Sequence, residues 1–123
     1  GCQCGHIRYI LAGEPTSPHF CHCRMCQRLI GAPVVAWVNF PISSFKYEGA
    51  EASLYRSSKN IQRGFCPKCG SSIFALEDED EFICITITTL DYPNMIAPEY
   101  DSYKETSPSW MNLAPLNTKQ EAI

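Results

Sequence analysis

Seven of the chain's eight cysteines fall into three tight groups, Cys2/Cys4, Cys21/Cys23/Cys26 and Cys66/Cys69, and this spacing limits the fold more than any other feature. Thiols one or two residues apart can converge on a single ion when the backbone turns tightly around it. In Cys66-Pro67-Lys68-Cys69-Gly70 the proline presets such a turn and the glycine tolerates the positive φ that often closes it, so the segment reads as a zinc knuckle. A knuckle supplies two of the four ligands that a closed structural zinc needs, and Cys2/Cys4 are the natural second pair. Joining the two pairs closes a loop of about sixty residues, a large constraint on the unfolded chain.

Cys21, Cys23 and Cys26 are then left one ligand short of a tetrahedron. Three protein ligands and an open position make the catalytic zinc pattern, whereas four make the structural one. An open zinc takes up a substrate thiolate or a water, lowers its pKa and acts as a Lewis acid toward a carbonyl. Other assignments stay open at this point. His19 or His22 could complete the second site and make both zincs structural, although a residue between two ligands, as His22 is, tends to point away from the metal. An even number of cysteines could also form four disulfides; the short spacings and the lack of a secretory signal speak against that. Cys84 stands alone in an apolar stretch and reads as a small packing residue. His6 has no partner evident in the sequence.

The 123 residues correspond to one domain, expected over 1–113 with a tail at 114–123, and 45% hydrophobic content is enough for a core. Short runs rich in β-branched and aromatic residues, at 6–11, 33–38, 61–65, 73–76 and 82–88, predict strands. Turn chemistry separates them, and the acidic stretch Glu77 to Glu81 reads as a solvated hairpin loop. Only 23–30 has a helical look, with Gly31 in the capping position and Pro33 behind it. From Asp91 onward, prolines at 93, 98, 108 and 115 predict an irregular wrap over the β body, anchored by Tyr100, Tyr103 and Trp110 and frayed from Asn117.

Thirteen acidic against ten basic residues give a formal charge of -3. Seven thiolates and two Zn²⁺ take the chain to about -6, because a coordinating thiol loses its proton. Such a field repels phosphate backbones, so no nucleic-acid partner is expected. No apolar run is long enough for a membrane span, and a soluble, cytoplasmic protein is the expectation.

At the cysteine motifs the sequence resembles the glutathione-dependent formaldehyde-activating enzyme family, which includes centromere protein V-like members. The resemblance rests on GCQCGHIRY at the start, on CHCRMC followed by Gly31-Ala32, and on RGFCPKCGS from Arg63 to Ser71, and it runs from Gly1 to about Leu113. It implies a mainly β, zinc-stapled fold of the β-tent kind, built of antiparallel sheets with one short helix. It also implies two zincs per chain, a structural one on Cys2, Cys4, Cys66 and Cys69 and a catalytic one on Cys21, Cys23 and Cys26. The reaction implied is a carbon-sulfur lyase chemistry run in the synthetic direction, joining formaldehyde to glutathione as S-(hydroxymethyl)glutathione. Arg24 and Arg28, next to the ligands, are the candidates for holding a glutathione carboxylate by forked hydrogen bonds. The alternative from the same resemblance is a non-catalytic zinc-binding interaction module. One departure stands out: many members carry His-Ile in the tail where this chain has Asp101-Ser102.

Overall fold

The computed structural model describes residues 1–111. Its body is mainly β, with one α-helix and two sheets. The strands are β1 (Tyr9–Leu11), β2 (Thr16–Cys21), β3 (Val35–Pro41), β4 (Phe45–Tyr47), β5 (Ser53–Arg56), β6 (Ile61–Phe65), β7 (Ser72–Glu77), β8 (Phe82–Thr86) and β9 (Tyr100–Ser102). The helix, α1, spans Arg24–Ile30 and is closed by Gly31, whose N–H donates to the Gln27 carbonyl at 2.8 Å. β1 pairs with β4 in a small sheet, and the other strands form one sheet in the order β5-β6-β7-β8-β3-β2-β9. Every pairing is antiparallel except β2 with β9.

The two-residue period of a strand decides what each face of the large sheet carries. Val38 and Phe40 of β3, Ile83 and Ile85 of β8 and Phe74 of β7 point into one core, which also holds Ile7, Ile73, Cys2 and Cys66. The alternate residues Trp37, Ala75 and Cys84 look to the other face, where Cys21, Cys26 and Val35 form a second, smaller cluster. The predicted strands at 61–65 and 73–76 agree closely with β6 and β7, and the acidic stretch turns the hairpin between β7 and β8.

Four strands were not legible as runs. β2 contains Pro18 and a register shift between Thr16 and His19, with Ser17 at φ 50°, so it lacks alternation. β4, β5 and β9 are short edge pieces with few buried side chains. The C-terminal segment also differs from expectation in how it is held. Tyr100, Tyr103 and Trp110 are 45%, 60% and 73% exposed, so they are not its main anchors, although Tyr100 stacks on His19. The segment is held by hydrogen bonds instead, since its backbone adds a parallel strand and its polar side chains meet the buried His22. The expected tail at 114–123 and the fraying from Asn117 lie outside the described residues.

Gly64 of β6 is opposite Phe74 of β7, and a Cβ there would overlap the Phe74 ring. Gly64→Ala is therefore expected to destabilise the fold by about 1–3 kcal/mol, the usual cost of overpacking a filled core. Urea unfolding checks this, and Phe74→Leu in the same chain should recover part of the loss. An unchanged midpoint for the single variant would mean that the ring can move aside.

Candidate metal centres

The first cysteine group is built by two facing turns. In the amino-terminal turn, Cys2 N–H donates to the Ile7 carbonyl at 3.0 Å, and Ile7 N–H returns to Cys2 Sγ at 3.2 Å. In the knuckle, Gly70 N–H donates to the Cys66 carbonyl at 2.8 Å, with Gly70 at φ 80°. The N–H groups of Lys68 and Cys69 point at Cys66 Sγ, at 3.4 and 3.5 Å. Ser71 joins the halves: its hydroxyl oxygen accepts from Gln3 N–H at 3.0 Å and its hydroxyl lies 3.2 Å from Cys69 Sγ. That hydroxyl is the first cause of a lowered Cys69 thiol pKa. Backbone N–H donors aimed at sulfur favour the thiolate, the form that binds a metal.

The four sulfurs of Cys2, Cys4, Cys66 and Cys69 lie within 4.8 Å of one another, with Cys2–Cys4 and Cys4–Cys66 contacts of 3.7 Å. A tetrahedron with Zn–S bonds of about 2.3 Å has edges of about 3.8 Å, so the donor set fits a zinc-sized ion. A disulfide needs sulfurs about 2.0 Å apart. All eight cysteines are free thiols, which sets aside the disulfide alternative.

The second group sits at the junction of β2 and α1. Cys21 ends the strand facing the smaller cluster, His22 turns to the opposite side, and Cys23 turns back as the helix N-cap. Cys23 Sγ accepts the N–H of Cys26 at 3.3 Å, which brings Cys26 of the first helical turn beside it. The sulfurs of Cys21, Cys23 and Cys26 lie within 4.8 Å of one another, and among the described residues no fourth His, Cys, Asp or Glu joins them. His19 Nδ1 donates to the Ser17 carbonyl at 2.7 Å, and His22 Nε2 meets Asp101 Oδ1 at 2.8 Å. Neither histidine completes the cluster.

Cys21 and Cys26 do not ionise alike. The Cys26 thiol is lowered, first by its hydrogen bond with Cys21 and further by Cys23 and Arg63, against the effect of burial. Cys21 is raised by the same contact with Cys26 and by burial. The thiolate forms readily at Cys26, and Cys21 keeps its proton unless a cation compensates its charge. Beyond the sulfurs opens a cavity of about 530 Å³ on the sheet face that carries Trp37, Arg63, Ala75 and Cys84. A metal on these three sulfurs would have an accessible side.

A family model described as glutathione-dependent formaldehyde-activating enzyme matches residues 1–106. The chain belongs to this family. In fold it is similar to a crystal structure of a Rhodobacter sphaeroides protein, a structural-genomics target, with a TM-score of 0.64 at 20% identity over 82% of this chain and 96% of that one. A search of curated protein sequences returns no match.

For a member of the formaldehyde-activating family, the cavity wall holds residues that spacing alone did not single out. Arg24 and Arg28 are exposed and do not line it; Arg24 instead donates to Gln27 Oε1 at 2.6 Å. The arginine that lines it is Arg63 of β6, brought across from the far side of the sheet. Cys84 lines it too, in a setting where burial first, and the charge on Cys26 next, push its thiol up to about 12. Such a thiol stays protonated and behaves as the packing residue expected. Asp101 has its carboxyl lowered chiefly by the bond to His22. Thr106 Oγ1 of the tail and Gln27 Nε2 of α1 donate to the His22 carbonyl at 2.7 and 2.8 Å, clamping the residue between Cys21 and Cys23. Among the described residues no helix is long and apolar enough to cross a membrane.

Proposed function

We propose that the chain is a two-zinc enzyme of thiol adducts, joining formaldehyde to glutathione in the manner its family name describes. Cys2, Cys4, Cys66 and Cys69 hold the structural zinc, and Cys21, Cys23 and Cys26 hold the catalytic one. The observation that carries this reading is the division of seven thiols into a four-sulfur set and a three-sulfur set with a cavity on its open side. Zinc at the three-sulfur set supplies Lewis acidity and a place for a thiolate at neutral pH.

The chain's own residues supply the rest. The addition forms one carbon-sulfur bond, and the proton leaving the thiol ends on the former carbonyl oxygen. Trp37 and Phe82 give the cavity apolar walls that hold the reactants together and limit competing water. His19 lines the same cavity; with Nδ1–H committed to a backbone carbonyl, its Nε2 is left as an acceptor. Arg24 and Arg28 point away from this space, so their expected carboxylate contacts form no part of the reading.

Calorimetry with glutathione tests the assignment. The zinc-loaded protein should bind one glutathione per chain through its thiol, and S-methylglutathione, which lacks the thiol, should bind at least tenfold more weakly. Equal binding of both ligands, or one zinc per chain by metal analysis, would overturn it and leave an interaction module as the better reading.

A further inference from the structure

The sequence marks Arg63 only as part of a motif, yet its guanidinium is one of the most completely engaged groups in the fold. Its Nε–H donates to Ser57 Oγ at 3.1 Å, Nη2 meets Met25 Sδ at 3.3 Å, and Nη1 donates to Cys26 Sγ at 3.7 Å, within reach of an N–H···S bond. The guanidinium carbon lies 5.8 Å from the ring centroid of Trp37, itself 3% exposed. Strand β6, the turn before it, helix α1 and strand β3 thus converge on one side chain. A planar guanidinium presents five N–H donors in a rigid fork, whereas a lysine ammonium is a compact point charge with three rotatable donors.

The other cations near the cluster are engaged elsewhere or face outward. Arg24 bonds Gln27, Arg28 is exposed on the same outer face, and Lys104 pairs with Asp101 at 3.6 Å. Loading the three-sulfur set with a divalent ion leaves it one negative charge, and a substrate thiolate adds a second. Arg63 brings the opposing charge to one defined sulfur. A hydrogen bond to a metal thiolate withdraws electron density from it, so the metal becomes more electron-poor and a better acceptor for an incoming thiolate.

We infer that Arg63 is a positioning residue for the metal of Cys21, Cys23 and Cys26: its guanidinium, fixed by Ser57 and Trp37, neutralises the cluster and donates to Cys26 Sγ, setting the metal affinity of that site alone. This rests on the metal reading proposed above and adds to it a residue that touches no metal.

The test uses the full chain, loaded with zinc at the four-sulfur site and cobalt(II) at the three-sulfur site, in wild type, Arg63→Met and Arg63→Lys. Chelator competition should show the three-sulfur site of Arg63→Met weakened about 10–100-fold, as for other outer partners of metal ligands, with the four-sulfur site unchanged. The thiolate-to-cobalt charge-transfer band should move to longer wavelength, because a sulfur without its hydrogen bond gives up electron density more easily. Arg63→Lys, keeping charge without the fork, should fall between. Retention of the four-sulfur zinc and an unchanged near-ultraviolet circular dichroism spectrum report that the fold is intact. An unchanged band and affinity in Arg63→Met overturn the inference, as does equal weakening of both sites, which would make Arg63 only a packing residue. Failure of the wild type to take any metal at the three-sulfur set would instead overturn the two-zinc reading on which it rests.

Discussion

Cys66→Ser is expected to leave the chain without a cooperative fold. Cys66 is fully buried among Ile7, Ile73 and Cys2, and its sulfur collects N–H groups from Lys68 and Cys69. It lies 62 residues from Cys4, whose sulfur it meets at 3.7 Å. The first eight residues form no strand of their own, and they are tied to the rest of the fold by this cluster, the Ile7 contacts, the Gly1 amino group's bond to the Thr89 carbonyl and the Arg8–Asp91 pair. Structural zinc contributes about 10–16 kcal/mol of apparent binding energy, which is folding energy when the site does not exist in the unfolded chain. Domains of this size are stable by only about 5–15 kcal/mol, so the energy of the complete site is comparable with the whole margin and weakening it by one ligand is expected to cost most of the fold's stability. Thermal unfolding followed by circular dichroism, with zinc counted per chain, checks this. A sharp transition near that of the wild type would mean that the four-sulfur site does not support the fold.

The contrast between what spacing revealed and what it concealed has a physical basis. Metal ligands two or three residues apart are a local pattern, so both cysteine sets could be grouped before any topology was known. The opposite placement of Arg24 and Arg28 was also within reach: Cys23, Cys26, Gln27 and Ile30 recur at helical spacing and form the inner face, so residues 24 and 28, four apart, share the outer one. Arg63 was not. It meets Cys26 across 37 positions of chain, through the pairing of β6, β7, β8 and β3 and a strand parity that depends on that register. Asp101 belongs to the same class, since its contact with His22 spans 79 positions and depends on a parallel strand of three residues with no apolar pattern. The tail's aromatic residues read as anchors because large apolar surface is usually buried, whereas here Asp101 and Thr106 hold the buried His22 at Nε2 and at its carbonyl, and Nδ1 has no partner among the described residues. Contacts made by register and by single polar groups leave no periodic trace.

Cys23→Ser should separate the two roles that Cys23 combines. Its side chain caps α1 by accepting the Cys26 N–H at 3.3 Å, and its sulfur is one of three that can hold a metal. Serine is among the preferred N-cap residues, so the hydroxyl can take over the cap, but a neutral hydroxyl is a far poorer zinc ligand than a thiolate. The variant is expected to keep its unfolding midpoint close to wild type in urea while zinc falls from two ions to one. Cys23→Ala should lose the same zinc and a further ~1 kcal/mol of stability, the usual cost of an unsatisfied N-cap. With two sulfurs left, zinc-dependent glutathione binding should disappear in both variants, and the rate of S-(hydroxymethyl)glutathione formation, followed by exchange NMR, should fall to that of the uncatalysed reaction. Loss of zinc with full catalysis retained would sink the assignment of chemistry to this cluster. Two zincs retained by Cys23→Ala would show that another ligand completes it. Both zincs lost together would mean that the three-sulfur set, like the four-sulfur one, holds the fold and not the reaction.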